Sequence, residues 1–336
     1  MSGKTKIGLM GFGQIGRQLY KLAMQDERFD IVAISDIGRP EILAHLLTKA
    51  LGESSVRLEG NYLVGDGVRT RLMAADRPTE IPWDVFDVDI VIDATGQFRT
   101  RKDLEPHLDN GVKRVIVATL PDGEIDRVIL FGVNNQDAIS SDTLISAGSA
   151  STTATALVLD TIRTKYEIAH ASMTSVHAYT SDQSLQDYAG VDYRCSRSGA
   201  ENIIPNLTPA LKWLQKTLPF LTGKMTGYAL NVPVQTGSML DITVSLADEI
   251  KEVADIKSLF VESAKANPSL IGITSDPIVS SDVKGFDKSL LVDLSGSIKA
   301  GSRIFKLIAW HETLGHAARI LDVASLYQDL DAMGAK

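Results

Sequence analysis

The chain has 336 residues, 44% of them hydrophobic and 23% charged, and carries a formal net charge of -8. At roughly 100 to 200 residues per domain, that length predicts two domains, each able to bury its own core. No long Lys/Arg cluster interrupts the acidic balance, which excludes a general nucleic-acid or membrane-surface role and leaves small-molecule work as the expectation.

Cys195 is the only cysteine, so neither an intrachain disulfide nor a cysteine-rich metal site is available, and a reducing, cytoplasmic setting is expected. The apolar run before Gly11 is too short for a signal peptide, and no later run approaches a membrane span. The other histidines, His45, His107, His170, His311 and His316, show no metal-ligand spacing, so no metal is expected.

Lys6 to Met10 predicts a short buried strand. Gly11-Phe12-Gly13-Gln14-Ile15-Gly16 then turns directly into the helical spacing of Leu19, Tyr20, Leu22 and Ala23. A second apolar run, Ile31 to Ile34, ends at Ser35-Asp36, which puts a carboxylate 20 positions after Gly16 at the end of the next strand. A strand, a G-x-G-x-x-G turn, a helix and then an acidic residue form the pattern of a dinucleotide site. The glycines let backbone approach a pyrophosphate, and Asp36 accepts hydrogen bonds from the adenosine ribose. The same carboxylate would repel the 2′-phosphate of NADP, so NAD is favoured, with Arg39 three residues on as a softening influence.

Further strands are predicted at Asp89 to Asp93, Lys113 to Thr119, Arg127 to Val133 and Thr143 to Ser146, with a helix from Arg101 to Asn110. Strands alternating with helices predict an α/β domain of Rossmann type, with a doubly wound parallel sheet. Thr95, Gly96 and Thr119 fall just past strand ends, where such sheets bind ligands, and are either cofactor contacts or turn residues.

Ile145 to Ala156 is a strand-to-helix corner crowded with small hydroxyl residues, followed by helical spacing at Leu157, Val158, Leu159, Ile162 and Tyr166. Unpaired N–H groups and the helix dipole favour a developing anion there, so a nucleophile would be well placed. The plainer reading is an N-cap by Ser151 or Thr152. Beyond the corner, strands at Ser172 to Tyr179, Gly227 to Val232, Met239 to Leu246 and Ile304 to Trp310 are predicted. With helices near Pro209 to Thr217 and Ile256 to Ala266, they predict an α+β domain with a mixed or antiparallel sheet. The expected division is 1–150 and 151–314, with a last helix, 315–336, returning to the first domain. His177, late in its strand, is either structural or a general base. The irregular polar segment from Asp182 to Ala200 holds Arg197, which either binds a phosphate or makes a surface ion pair.

Taken in order, these pieces resemble the phosphorylating glyceraldehyde-3-phosphate dehydrogenases over essentially the whole chain. The matching runs are Gly11 to Arg17, Asp36, Ala94-Thr95-Gly96-x-Phe98, Gly132-Val133-Asn134, Ser151-Thr152-Thr153, His177-x-Tyr179-Thr180-x-x-Gln183, Arg197 with Asn202-Ile203-Ile204-Pro205, Gly223-Lys224-x-x-Gly227, Val232-Pro233 and Trp310. The resemblance implies a homotetramer that oxidises glyceraldehyde 3-phosphate to 1,3-bisphosphoglycerate with NAD and inorganic phosphate, as in glycolysis and gluconeogenesis. It places His177 as the base and Ser151 where the family has its nucleophilic cysteine. It implies Thr152, Thr180, Asp182, Thr208 and Asn231 as substrate or phosphate contacts and Thr313 as a cofactor contact. Several of these positions depart from the family pattern. Ser151 replaces the cysteine, either as a substitution made to trap a complex or as a natural loss or change of chemistry. Asn231 replaces an arginine, Pro209 a glycine, Ala150 a serine and Thr313 an asparagine, while Tyr188-Ala189 replaces a Leu-Pro pair. A related aldehyde such as erythrose 4-phosphate, or a non-catalytic NAD-binding homologue, are the alternative expectations.

Overall fold

The computed structural model describes residues 4–51, 56–65, 67–180, 183–190 and 192–334. The chain divides into two compact units, Met1–Gly148 with Ala317–Lys336, and Ser149–His316.

In the first unit the elements follow as β1 (Thr5–Met10), α1 (Gln14–Met24), β2 (Phe29–Ser35), α2 (Pro40–Leu51), β3 (Arg57–Glu59), β4 (Tyr62–Gly65), β5 (Val68–Met73), β6 (Ile90–Asp93), α3 (Arg101–Asp109), β7 (Arg114–Val117), β8 (Arg127–Val128) and β9 (Leu144–Ser146). Among the described residues they form a nine-stranded sheet in the order β3-β4-β5-β2-β1-β6-β7-β9-β8. Only the β3-β4-β5 pairings are antiparallel; β5 runs parallel to β2, as do all remaining neighbours. The central strands are apolar on both faces because both faces are covered. Side chains alternate across a strand, so Ile90 and Ile92 of β6 join the core beneath α1, whereas Val91 joins the opposite core around Trp83 and Leu104. Strand order runs outward in both directions from β1 and β6, and a ligand crevice opens at the carboxyl ends of such a pair.

The second unit begins with α4 (Ala150–Arg163) and continues through β10 (Ile168–Ala178), β11 (Ile204–Asn206), α5 (Ala210–Thr217), β12 (Met225–Val232), β13 (Ser238–Leu246), α6 (Val253–Ala266), β14 (Ile271–Thr274), β15 (Leu290–Ala300), β16 (Ile304–His311) and the start of α7 (Thr313–Gly334). Its seven-stranded sheet has the order β11-β12-β10-β13-β16-β15-β14. β10 pairs parallel with β12 and antiparallel with β13, so the sheet is mixed. β13 alternates strictly, burying Ser238, Leu240, Ile242, Val244 and Leu246, the pattern of a sheet with one face packed. From Ala317 onward α7 belongs to the first unit, where Ala317, Ile320, Leu321, Ala324 and Tyr327 make a buried stripe at helical spacing. Tyr327 donates to Asp142 Oδ2 at 2.7 Å and Arg28 Nη1 to Ser325 Oγ at 2.9 Å.

The α/β Rossmann-type unit and the mixed-sheet second unit are those expected from sequence. Strands β3, β4, β5, β11, β14 and β15 are additional to those expected, and one expected strand is cut short: of the run Arg127 to Val133 only Arg127–Val128 is extended. Gly132 has φ +93°, and the Asn134 and Asn135 side chains accept from the backbone N–H groups of Leu130 and Gly132, so local side-chain bonds replace the ladder.

Candidate active site

At the end of β1, Gly11 takes φ +90°, and a Cβ there would lie 2.7 Å from Thr95 N, so this turn packs backbone to backbone on the turn after β6. A Cβ on Gly16 would stand 2.2 Å from Gly11 O, which seats α1 on the turn. Above Gly13 there is open space, and although Gly13 is the N-cap of α1 no side chain caps the helix and no acidic residue occupies its first turn. An exposed glycine with an uncapped helix start is the arrangement a pyrophosphate requires.

Asp36 ties this turn to the strand beside it. Its Oδ2 accepts from Phe12 N at 2.6 Å and its Oδ1 from Gly38 N at 2.7 Å. Each carboxylate oxygen keeps a further acceptor site for a ribose hydroxyl. Arg17 donates to Phe12 O at 2.9 Å; burial pulls its pKa down and the Asp36 charge raises it. Phe12 is buried edge-on against Tyr20, Ile15 leans on the same core, and Gln14 is exposed at the first helical position. Thr95 and Gly96 follow β6, with open space above Gly96. Thr119 follows β7, its carbonyl accepting from Ser146 Oγ at 2.7 Å. The residues present therefore fit a dinucleotide. Thr313 stands in the other unit, at the start of α7, with its hydroxyl on Glu312 Oε2.

In the second unit the N-cap of α4 is Ser149, two residues before Ser151 and three before Thr152, the caps expected from the sequence. Its Oγ accepts from Thr152 N at 3.3 Å, lies 2.7 Å from Thr152 Oγ1 and touches Ser151 Oγ at 3.5 Å. Thr152 is wholly buried within that cap, while Ser151, half-buried, is left at the helix start. The Thr155 hydroxyl lies 2.7 Å from Ser151 O and 3.0 Å from Met173 Sδ. Met173 is thus on the α4 face of β10, and the two-residue period puts His177 on that face as well.

His177 Nδ1 lies 2.6 Å from the carbonyl of Ala178, which can only accept, so Nδ1 carries the proton. In the neutral ring Nε2 is then the basic nitrogen. Among the described residues no hydrogen bond joins it to Ser151 Oγ; what the fold supplies is a shared face. Asn231 is the register partner of His177 on β12, so its side chain stands beside the imidazole. A second imidazole, His311, lies 6.0 Å away centroid to centroid. Burial first, and the charges of His177 and His316 second, push its pKa down to about 3. The strand expected over Ile304 to Trp310 extends one residue further, to this neighbour, and the alternation of Phe305, Leu307 and Ala309 carries to His311 in one more step.

The remaining positions are more dispersed. Thr180 N donates to Gln183 Oε1 at 3.2 Å, Thr208 Oγ1 accepts from Ala210 N at the start of α5, and Asp182 lies outside the described residues. Arg197 makes an exposed ion pair with Asp187 at 2.9 Å, the surface alternative of the two readings. Among the described residues no group of three or more His, Cys, Asp or Glu could hold a metal ion, and no helix is long and apolar enough to cross a membrane.

Residues 5–101 match the family model "Glyceraldehyde 3-phosphate dehydrogenase, NAD binding domain", and residues 149–313 match "Glyceraldehyde 3-phosphate dehydrogenase, C-terminal domain". The chain is 37% identical over 333 residues to the glyceraldehyde-3-phosphate dehydrogenase of Kitasatospora aureofaciens, an alignment covering 96% of this chain and 98% of the other. It is 36% identical over 332 residues to that of Borreliella burgdorferi, covering 95% and 98%. To glyceraldehyde-3-phosphate dehydrogenase 1 of Bacillus subtilis it is 34% identical over 330 residues, covering 96% and 97%. Both units are matched in order along nearly full-length relatives, and the glycine cradle fits the dinucleotide: the chain belongs to the glyceraldehyde-3-phosphate dehydrogenase family, with NAD as its cofactor.

Proposed function

We propose that this protein is an NAD-dependent aldehyde dehydrogenase of the phosphorylating type, acting on glyceraldehyde 3-phosphate and inorganic phosphate, with its chemistry muted by Ser151. The observation that carries the reading is the tautomer of His177, whose Nδ1 is tied to Ala178 O so that Nε2 is the base on the face that α4 covers. Ser151 Oγ is the attacking atom and His177 Nε2 receives its proton; NAD, when bound, accepts the hydride. Phosphate then cleaves the ester on Ser151. A free thiol has a pKa of about 8.5 and is intrinsically nucleophilic, whereas a hydroxyl needs a base to become so, and the oxyester is less reactive toward phosphate than a thioester. The Ser149 cap and the dipole of α4 favour negative charge at residue 151 whichever atom it bears.

Asn231, beside His177, takes the substrate phosphate with a neutral amide, helped by Thr180 and Asp182, while Thr208 serves the inorganic phosphate and Thr152 orders the corner. Gly11 to Gly16, Asp36, Thr95, Gly96 and Thr119 hold the cofactor, and Thr313 its carboxamide. Exposed Leu185, Tyr188, Tyr193, Ile203 and Leu207, in the stretch before and just after β11, support assembly as a homotetramer, and the cytoplasm is its proposed setting. Ser151 and Asn231 also favour a second reading, an NAD-binding protein without catalysis.

An assay of NADH formation from glyceraldehyde 3-phosphate, NAD and phosphate separates the two. Ser151→Cys should raise the rate roughly a thousandfold or more over the unaltered chain. No NADH above the serine form would leave only the non-catalytic reading.

A further inference from the structure

Trp83, His107 and Asp93 are buried together beneath the turn that follows β6, at 0%, 0% and 2% exposure. An indole N–H can only donate, and that of Trp83 gives its hydrogen bond to His107 Nδ1 at 2.9 Å. In the neutral imidazole the proton therefore sits on Nε2, 3.5 Å from Asp93 Oδ2. Neither of those two atoms has a hydrogen-bond partner among the described residues, so each has only the other to answer its polarity. Asp93 Oδ1 is fully used: it accepts from Thr95 N at 3.0 Å and from Thr95 Oγ1 at 2.7 Å, and Thr95 Oγ1 in turn accepts from Gln97 N at 3.1 Å.

Burying a carboxylate is unfavourable unless it is paired, so its placement at the carboxyl end of β6 requires a reason. The turn it holds is the one whose backbone meets Gly11. In a doubly wound sheet β1, α1 and β2 build the adenosine half of the site, marked here by Asp36, and the strand on the other side of β1 opens the second half. That strand is β6, so Thr95 and Gly96 face the nicotinamide nucleotide.

We propose that His107 and Asp93 are positioning residues for the nicotinamide half of the cofactor site, the imidazole N–H orienting the buried carboxylate and the carboxylate fixing Thr95 so that the turn is formed before the cofactor arrives. The proposal rests on the reading of Thr95 and Gly96 as cofactor contacts. A turn ordered in advance binds more tightly than one the ligand must order, and that difference falls on the whole dinucleotide, while ADP, which ends at the pyrophosphate, does not feel it.

Calorimetric titration of the full chain with NAD and with ADP tests this, using Asp93→Asn, His107→Phe and His107→Gln. Asp93→Asn keeps the acceptor for Thr95 but can present an amide N–H to the His107 N–H; Phe removes donor and acceptor, and Gln restores one of each. Asp93→Asn and His107→Phe should each weaken NAD roughly tenfold while ADP stays within about twofold, and His107→Gln should stay within about threefold for both. Asp93→Asn, nearly isosteric, decides the matter whether or not His107→Phe folds. NAD affinity unchanged in Asp93→Asn, or NAD and ADP weakened in parallel, would overturn the proposal. NAD bound by the unaltered chain no more tightly than ADP would overturn the reading of Thr95 and Gly96, and the proposal with it.

Discussion

The turn between β1 and α1 and the start of α4 are both strand-to-helix corners, built from different parts of the chain. At the first, function resides in backbone: Gly11 and Gly16 are held by contacts that a single Cβ would break, and the open space above Gly13 is itself the binding feature. At the second, the helix is capped by Ser149 whatever stands at position 151, and chemistry depends on one side-chain atom there and on the tautomer of His177. A Cβ at Gly11 or Gly16 disturbs the fold itself. At the second, a sulfur can become an oxygen while the architecture stays intact. Cofactor binding is therefore expected to outlast catalysis in a chain of this kind.

The comparison breaks first at Gly16. Gly16→Ala puts a methyl group 2.2 Å from Gly11 O, a backbone atom that cannot swing aside, and should lower unfolding free energy by about 3 kcal/mol or more in urea titrations. Gly13→Ala, with nothing within 4 Å, should leave stability within about 0.5 kcal/mol and weaken NAD instead. Equal stabilities for the two variants would mean that the helix is not seated on the turn.

The second corner carries its own stability signature in His311. In the unfolded chain its imidazole takes up a proton below about pH 6.5, whereas in the fold burial, and then the His177 and His316 charges, keep it neutral down to about 3. Across that window the unfolded state binds more protons, so stability falls as pH falls, by up to about 1.4 kcal/mol per pH unit, or about 2 kcal/mol by pH 5. His311→Phe should flatten this part of the profile in denaturant titrations at pH 7 and pH 5. An unchanged difference between the two pH values would place the acid sensitivity elsewhere.

A smaller effect is expected at Asn231. In the Ser151→Cys background, Asn231→Arg offers two charge-assisted donors in place of one neutral amide, and should lower KM for glyceraldehyde 3-phosphate roughly tenfold while barely moving that for unphosphorylated glyceraldehyde. If both constants shift together, Asn231 does not read the phosphate.

The two corners were also legible to different degrees. Glycines with an acidic residue one strand later have a sequence signature because backbone geometry dictates them, and the unbroken apolar runs of β6 and β7 mark strands covered on both faces. The β3-β4-β5 meander is hard to see in the sequence because β3 and β4 are only three and four residues long, and Arg57, Glu59, Arg69 and Arg71 take one face of the alternation, leaving few apolar residues to mark a strand. β15 was hidden by Ser295-Gly296-Ser297, where its register with β16 shifts. The cap on Ser149 rather than Ser151 or Thr152 depends on where the strand releases the chain, a boundary that hydroxyl-rich sequence leaves open. Alternation along β16 carries the strand to His311, but that His311 meets His177, and that His107 lies beneath Asp93, are tertiary meetings with no local signal.

Whether the cofactor cradle is independent of the residue at 151 can be read by calorimetric titration of the unaltered chain and its Ser151→Cys variant with NAD. Both forms should bind, with dissociation constants agreeing within about twofold, a difference under about 0.5 kcal/mol. Binding by the cysteine form alone, or by neither, would contradict that independence.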